Sequence, residues 1–467
     1  MSENGGKPKH SEIQKSTIFV AVITSFITSF IGSATNLSIP DMSADFQVGA
    51  AAIGWIVTAY MLPVAALAVP FGRIADIIGR KKIIVLGIII FTIGSYASGA
   101  ALSSQMMIAT RVIQAVGAAM IFATNHAILI SEFPGSERGR VLGYALAATY
   151  TGLSAGPVLG GIINYSLGWR TIFFLTGTAG IIVLFEAVRR LPDRKSTLEK
   201  AGFDKAGNFL YVMMILFTIF GLNKFAENRS ALLLVAAGIV LGFVFVKREL
   251  KEDAPLVDVR LFAGNMSYTL SNLAALLNYA ATYAIGYLLS IYLQVVQGFS
   301  SQIAGIILIV QPLLMAIFSP YMGRLSDRFS PYKLASAGMG LCAVSLGLLA
   351  FIDIHTPVAF IIIVLCFAGC GFALFSSPNT NAVMSCVDKS SYGVASSVLS
   401  TMRNIGHAMS MVLITITVNF NLGDIALAQA DPEDLVSTMR IAYIIFTVIC
   451  AAGIFCSMKR KNKNCSQ

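Results

Sequence analysis

Charge is what this chain has least of. Only 12% of its 467 residues are Asp, Glu, Lys or Arg, about half the share of a soluble domain, while 56% are hydrophobic. That shortage excludes an ordinary water-soluble globular domain. Histidines number four and tryptophans two. No H-E-x-x-H pair and no G-x-x-x-x-G-K-[ST] loop exists, so zinc hydrolysis and ATP-driven pumping lose their usual signatures. Of seven cysteines, Cys342, Cys366, Cys370, Cys450 and Cys456 lie in apolar runs and Cys386 and Cys465 at or beyond a basic end, which leaves no disulfide framework. Cys366 and Cys370 share a helix face without a histidine or carboxylate nearby in sequence. No metal, cofactor or enzymatic activity is expected.

Long apolar runs are there in quantity. Fourteen stretches are each long enough to cross a hydrocarbon core of about 30 Å as a helix: 17–40, 50–71, 83–102, 106–131, 140–165, 171–190, 207–223, 231–247, 267–295, 302–321, 333–352, 357–384, 393–419 and 438–457. They are spans 1 to 14 below. Span 1 exceeds the core of a signal peptide, about 7 to 15 residues. The reading is an all-α membrane protein.

The net charge of +10 reflects topology rather than nucleic-acid binding. With an even number of spans both termini share a side, and 27 of the 33 Lys and Arg fall there, against Arg170, Lys224, Arg229 and Arg440 on the other. The positive-inside rule makes that side cytoplasmic.

The chain also repeats. Gly72-Arg73-Ile-Ala-Asp76 after span 2 returns as Gly323-Arg324-Leu-Ser-Asp327 after span 10, 251 residues on; "TNHAILIS" in span 4 returns as "NTNAVMSC" in span 12 at 255; Ser136-Glu-Arg-Gly139 returns as Ser390-Ser-Tyr-Gly393 at 254. The expected organisation is a cytoplasmic tail over 1–16, a six-helix bundle over 17–190, a linker with two inserted spans over 191–264, a second six-helix bundle over 265–458 and a tail over 459–467. Parallel repeats of this kind place a solute site near the membrane midplane between the halves.

Three motifs carry a resemblance. Gly72 to Lys82, with Gly79 and Arg80, is similar to the G-x-L-a-D-r-x-G-r-k signature of the major facilitator superfamily. Its two glycines are expected to permit a cytoplasmic turn, with Arg80 clamping Asp76. The second copy has Ser330 and Pro331 where the first has Gly79 and Arg80, so the latch is expected to be stronger in the first half. Arg111-Val-Ile-Gln114-Ala-Val-Gly117 resembles the R-x-x-Q-G-x-G motif. Arginine cannot shed its proton and costs roughly 2.5 kcal/mol or more in lipid, so Arg111 should face the interior unless it snorkels outward. In relatives, that arginine is tied to proton transfer.

The third stretch is Gly152, Gly156, Pro157, Gly160 and Gly161. It resembles the antiporter motif g-x-x-x-G-P-x-x-G-G, whose glycines at every fourth residue let helices approach closely in lipid, while Pro157 frees a carbonyl. Gly152-Leu-Ser154-Ala-Gly156 also fits the G-x-S-x-G nucleophile elbow, but that needs a strand, a sharp turn and a helix. With "GWRTIFF", "FDKAGN" and "PLVDVRLF", the ordered set is similar to the fourteen-span drug:proton antiporter family. The resemblance implies a major facilitator fold, a small-molecule substrate and protons as partners, no nucleic acid, and a monomer in a lipid bilayer, with the short loops pointing to a prokaryotic plasma membrane.

Polar residues deep in spans are functional candidates: Asn36, Arg111, Gln114, Asn125, His126, Asn278, Gln311, Asn379, Asn381, Arg403 and His407, with Tyr279, Tyr283 and Tyr287 on one face of span 9. The tyrosines read equally as an interfacial belt or a substrate cage, and the histidines as packing residues. One departure matters. Where the family carries an aspartate in span 1, this chain has Ile31, and no Asp or Glu lies near the middle of any span. With Arg111 and Arg403 the cavity should be positive, which favours neutral, zwitterionic or anionic substrates and leaves His126, His407, Asp41 or Glu132 to titrate. The expected function is export of small amphipathic compounds in exchange for protons by alternating access, with import or uniport in the same superfamily as the alternative.

Overall fold

A computed structural model describes residues 7–133, 138–193, 204–225, 228–252, 255–257, 259–387, 392–422 and 430–460. Among them the chain is helical and has no strand. Fourteen helices are long and apolar enough to cross a membrane, and each coincides with one of the fourteen spans.

Two boundaries move in an informative way. Span 2 runs as one helix over Ala50–Ile78, so Gly72, Arg73 and Asp76 are helical and the turn expected at Gly72 is absent. A Cβ added at Gly72 would meet nothing nearer than Ala123 of span 4 at 4.0 Å. The chain reverses instead at Gly79 alone, whose φ of 109° is one L side chains avoid. Likewise the helix Val310–Arg328 carries Gly323, Arg324 and Asp327 within span 10.

The packing repeats as the sequence does. Span 1 packs on span 5, span 2 on span 4, and span 3 on spans 4 and 6. Eight spans later, span 9 packs on span 13, span 10 on span 12, and span 11 on spans 12 and 14. The additional spans, Lys205–Lys224 and Leu232–Glu249, pack on each other, and the first also touches spans 2 and 13. The six-span sets meet through span 2 with 13, span 5 with 10, and span 1 with 9. Free cysteines account for every described cysteine, and no cluster of potential metal ligands occurs among the described residues.

Candidate functional site

Span 5 shows why one helix carries so many glycines. Cβ atoms at Gly152, Gly156 and Gly160 would come within 2.6 Å of the Phe26 carbonyl, 2.5 Å of Ser33 Cβ and 2.6 Å of Ala34 Cβ, so this face is a notch cut for span 1. Pro157 has no N–H to give the carbonyl four residues back. Ser33 Oγ donates to that carbonyl, on Leu153, at 3.2 Å. Gly161 turns the other way, against the Ser301 carbonyl of span 10, and Gly305 sits directly on the Pro157 carbonyl. Ser301 Oγ donates to Gly161 O at 3.2 Å.

The same outer end joins the halves twice more. Ser290 Oγ donates to the Asn36 carbonyl at 2.7 Å. Gly54 of span 2 faces Thr415 of span 13 and the Tyr287 hydroxyl. Asn36 and Tyr287 therefore belong to the seam that closes the outer side.

Arg111 is almost fully buried in span 4. Its Nη1 donates to Gln114 Oε1 at 2.6 Å, Nε reaches the Ile56 carbonyl at 3.4 Å, and Gln114 Nε2 donates in turn to Ser95 Oγ at 2.7 Å. The guanidinium lies 4.3 Å from the Tyr60 ring centre and 5.6 Å from that of Phe173. It faces the protein, not lipid, and the charge rests on neutral acceptors and ring faces; no carboxylate pairs with it among the described residues.

Midway through the halves lies an aromatic cluster. The Tyr279 ring is 5.3 Å from Phe372, 6.4 Å from Phe375 and 5.4 Å from His407, and the Tyr283 ring lies 4.7 Å from His407, tilted by 33°. Ser376 Oγ is shared by the hydroxyls of Tyr279 at 3.3 Å and of Tyr150, from the opposite half, at 3.5 Å. Arg403 lies one turn below His407. Its Nη2 donates to Ser400 Oγ at 3.3 Å, and its charge reaches His126 of span 4 as well as His407. No carboxylate pairs with Arg403 among the described residues. His126, Tyr150, Tyr283, Arg403 and His407 all keep partial exposure deep within their spans. Since Arg403 looks across to His126 and Tyr150, that exposure marks a gap between the halves.

The other candidates are held elsewhere. Asn125 Nδ2 is tied to span 1 through Ala21 O at 3.0 Å and Ser25 Oγ at 2.8 Å. Asn278 is fully buried beside Cys342 and Cys450, inside the second bundle. Gln311 is partly exposed and turns its backbone carbonyl to Gly369. Asn379 and Asn381 are bonded to Arg460 at 2.9 Å and to Ser326 Oγ at 3.0 Å. In the first latch copy Arg80 pairs with Asp76 at 2.9 Å and donates from Nη1 to the Ala127 carbonyl at 2.9 Å. In the second, Arg324 is exposed and the Asp327 side chain lies outside the described residues.

At the outer face, Asp45 of the short helix Ile39–Phe46 accepts from Trp169 Nε1 at 2.9 Å and Arg170 Nη1 at 2.7 Å. These bonds, the tryptophan's foremost, hold its carboxyl below the usual range. Asp41, on the same helix, accepts from Asn164, yet burial holds its carboxyl above the usual range. Both line an outer recess of about 530 Å³ with Tyr165, Gln294 and Ser301.

Sequence reasoning did not single out Tyr60, Tyr150, Phe372, Phe375, Ser376 or Arg460. Tyrosines and phenylalanines are common in spans, and nothing in one sequence ranks those facing a gap above those facing lipid.

Comparison with known proteins adds the family. The Major Facilitator Superfamily profile matches residues 21–263 and 271–464. The chain is similar to the riboflavin transporter RibZ of Clostridioides difficile (strain 630), 31% identical over 392 residues, 84% of this chain and 85% of that protein. It is also similar to the multidrug resistance protein Stp of Mycobacterium tuberculosis (strain CDC 1551 / Oshkosh), 29% identical over 387 residues, covering 81% of this chain and 71% of the relative. A third relative is the cephamycin export protein CmcT of Amycolatopsis lactamdurans, 27% identical with 96% and 92% covered. Among solved structures, a bacterial homologue of the human lysosomal transporter Spinster, inward-facing and unoccupied, matches with a TM-score of 0.68 at 18% identity, over 97% of this chain and 98% of that one. The nucleoside transporter NupG matches at 0.67 and 12% identity, over 96% and 99%.

Proposed function

The chain belongs to the major facilitator superfamily, and from that premise we propose that this membrane transporter exports small amphipathic, aromatic compounds that are neutral, zwitterionic or anionic. One observation carries the reading: Arg403 offers an unneutralised cation beside a cluster of four aromatic rings and His407. Rings attract flat apolar bodies. A guanidinium is worth most where water is scarce, and it repels organic cations. Relatives named for riboflavin transport, multidrug resistance and cephamycin export suit a site of that kind.

Export is supported by the span 5 motif and by the relatives named for export and resistance. Exchange for protons supplies the driving force, with His126 and His407, both within reach of the Arg403 charge, as the groups that titrate. One pH unit contributes about 1.4 kcal/mol, enough for a tenfold solute gradient per exchanged proton. The outer seam through Gly161, Ser301 and Asn36 is the gate that opens when the site turns outward.

The test is a panel of planar dyes in proteoliposomes with an imposed pH gradient. Anionic and neutral dyes should accumulate on the acidic side, and collapse of the gradient should stop them. Preferred transport of quaternary ammonium dyes, or flux indifferent to the gradient, would contradict the proposal.

A further inference from the structure

The two halves share a repeat but not a latch. In the first, Arg80 reaches from the turn after span 2 to the Ala127 carbonyl near the cytoplasmic end of span 4. Its neighbour Lys81 donates to the Leu191 carbonyl after span 6 at 2.5 Å. One basic pair thereby ties spans 2, 3, 4 and 6 at their cytoplasmic ends. The corresponding residues in the second half are Pro331 and Tyr332, which supply no cation. Yet the second half contains a buried guanidinium at the same level, from the opposite direction.

Arg460 follows the helix Pro432–Met458 of span 14, in what reads in sequence as a basic tail. It is 7% exposed. Nη1 donates to Asn379 Oδ1 at 2.9 Å and to Ser271 Oγ at 3.2 Å, and Nη2 donates to Ser457 Oγ at 2.5 Å. Its guanidinium lies 5.6 Å from the Tyr332 ring centre. Ser336 Oγ bonds Ser457 Oγ at 2.6 Å beside it. One side chain therefore touches spans 9, 11, 12 and 14. By the 255-residue repeat, Asn379 corresponds to Thr124, one helical turn from Ala127. The two arginines thus grip matching stretches of spans 4 and 12.

We propose that Arg460 is the second half's latch, a positioning residue that replaces the missing Arg80 equivalent and makes the cytoplasmic ends of spans 9, 11, 12 and 14 move as one body. A guanidinium fits because its rigid fork meets two acceptors at once, which a lysine in its place would do less well. The tie also keeps the Asn379 side chain inside the bundle, out of the central gap. Its effect on turnover rests on the transport reading; the tie itself does not.

The test uses the full-length protein as wild type, Arg460→Ala, Arg460→Lys, Asn379→Ala and Arg460→Ala/Asn379→Ala. Hydrogen exchange in detergent reads the tie: Arg460→Ala should raise exchange at least fivefold over 376–387 and at the start of span 9, leaving 358–370 unchanged. In proteoliposomes with a planar anionic dye, Arg460→Ala should lower turnover at least tenfold at an unchanged half-saturating concentration. Arg460→Lys should recover part of it, and the double variant should be no slower than the single. Unchanged exchange in Arg460→Ala, or full turnover with raised exchange, would overturn the latch. So would multiplicative losses in the double variant. If the wild type moves no dye of the panel, the transport reading fails while the exchange comparison still decides the tie.

Discussion

Ser33 Oγ donates to the Leu153 carbonyl at 3.2 Å, the acceptor that Pro157 leaves without its helical partner. The bond follows from the proline's missing N–H and from the close approach that Gly156 allows. Gly156→Val puts branched carbon where Ser33 stands, so transport should fall at least tenfold, as measured by dye flux. Ser33→Ala removes one bond worth about 1 kcal/mol and should lower the melting temperature by a few degrees, with most transport retained.

Arg403 is the charge that the proposed substrate meets. Arg403→Ala should raise the half-saturating concentration of anionic dyes about tenfold and leave neutral ones within about threefold, since roughly 1.4 kcal/mol separates factors of ten. Arg403→Lys should sit between. Equal losses for both dye classes would remove the electrostatic role.

Arg111 separates stability from function. A buried charge with no carboxylate partner carries a desolvation cost that no opposite charge offsets, and its removal outweighs the one hydrogen bond lost at Gln114. Arg111→Met should therefore melt at or above the wild-type temperature while transport falls at least tenfold. A lower melting temperature with full transport would make the arginine structural only.

The pair at the outer face gives opposite pH slopes. Asp45 has a lowered folded pKa, so its stabilisation is present above the ordinary carboxylate value and is lost as pH falls through the lowered one. Asp41 has a raised folded pKa. It binds protons more readily folded than unfolded, so stability falls as pH rises from the ordinary value through the raised one. Melting scans should show Asp45→Asn flattening the acid decline and Asp41→Asn removing the loss above it.

Much of this was legible in the residues. Charge scarcity and apolar run length placed all fourteen spans, because a span must satisfy its backbone internally and cover a fixed thickness. The glycine spacing in span 5 foretold a close helix contact, though not that Gly161 would turn to span 10. The Asp76–Arg80 pair expected from the sequence forms, whereas the turn expected at Gly72 does not: a helical glycine costs only about 1 kcal/mol, which packing on span 4 outweighs. Side chains deep in spans were readable as polar, but their directions were not. Asn278, Asn379 and Asn381 turn into the second bundle, whereas His407 joins the central rings. Arg460 reads as tail because composition does not reveal that a side chain just past the last helix turns into the bundle.

The central claim is that a cationic, ring-lined gap between two similarly packed halves selects what is carried. The most direct measurement is the initial flux of one planar scaffold in anionic, neutral and quaternary ammonium forms, in proteoliposomes holding wild type or Arg403→Ala. The account predicts that wild type prefers the anionic and neutral forms, and that Arg403→Ala loses the preference for the anion. A wild type that carries the quaternary form best, with flux unchanged in Arg403→Ala, would contradict it.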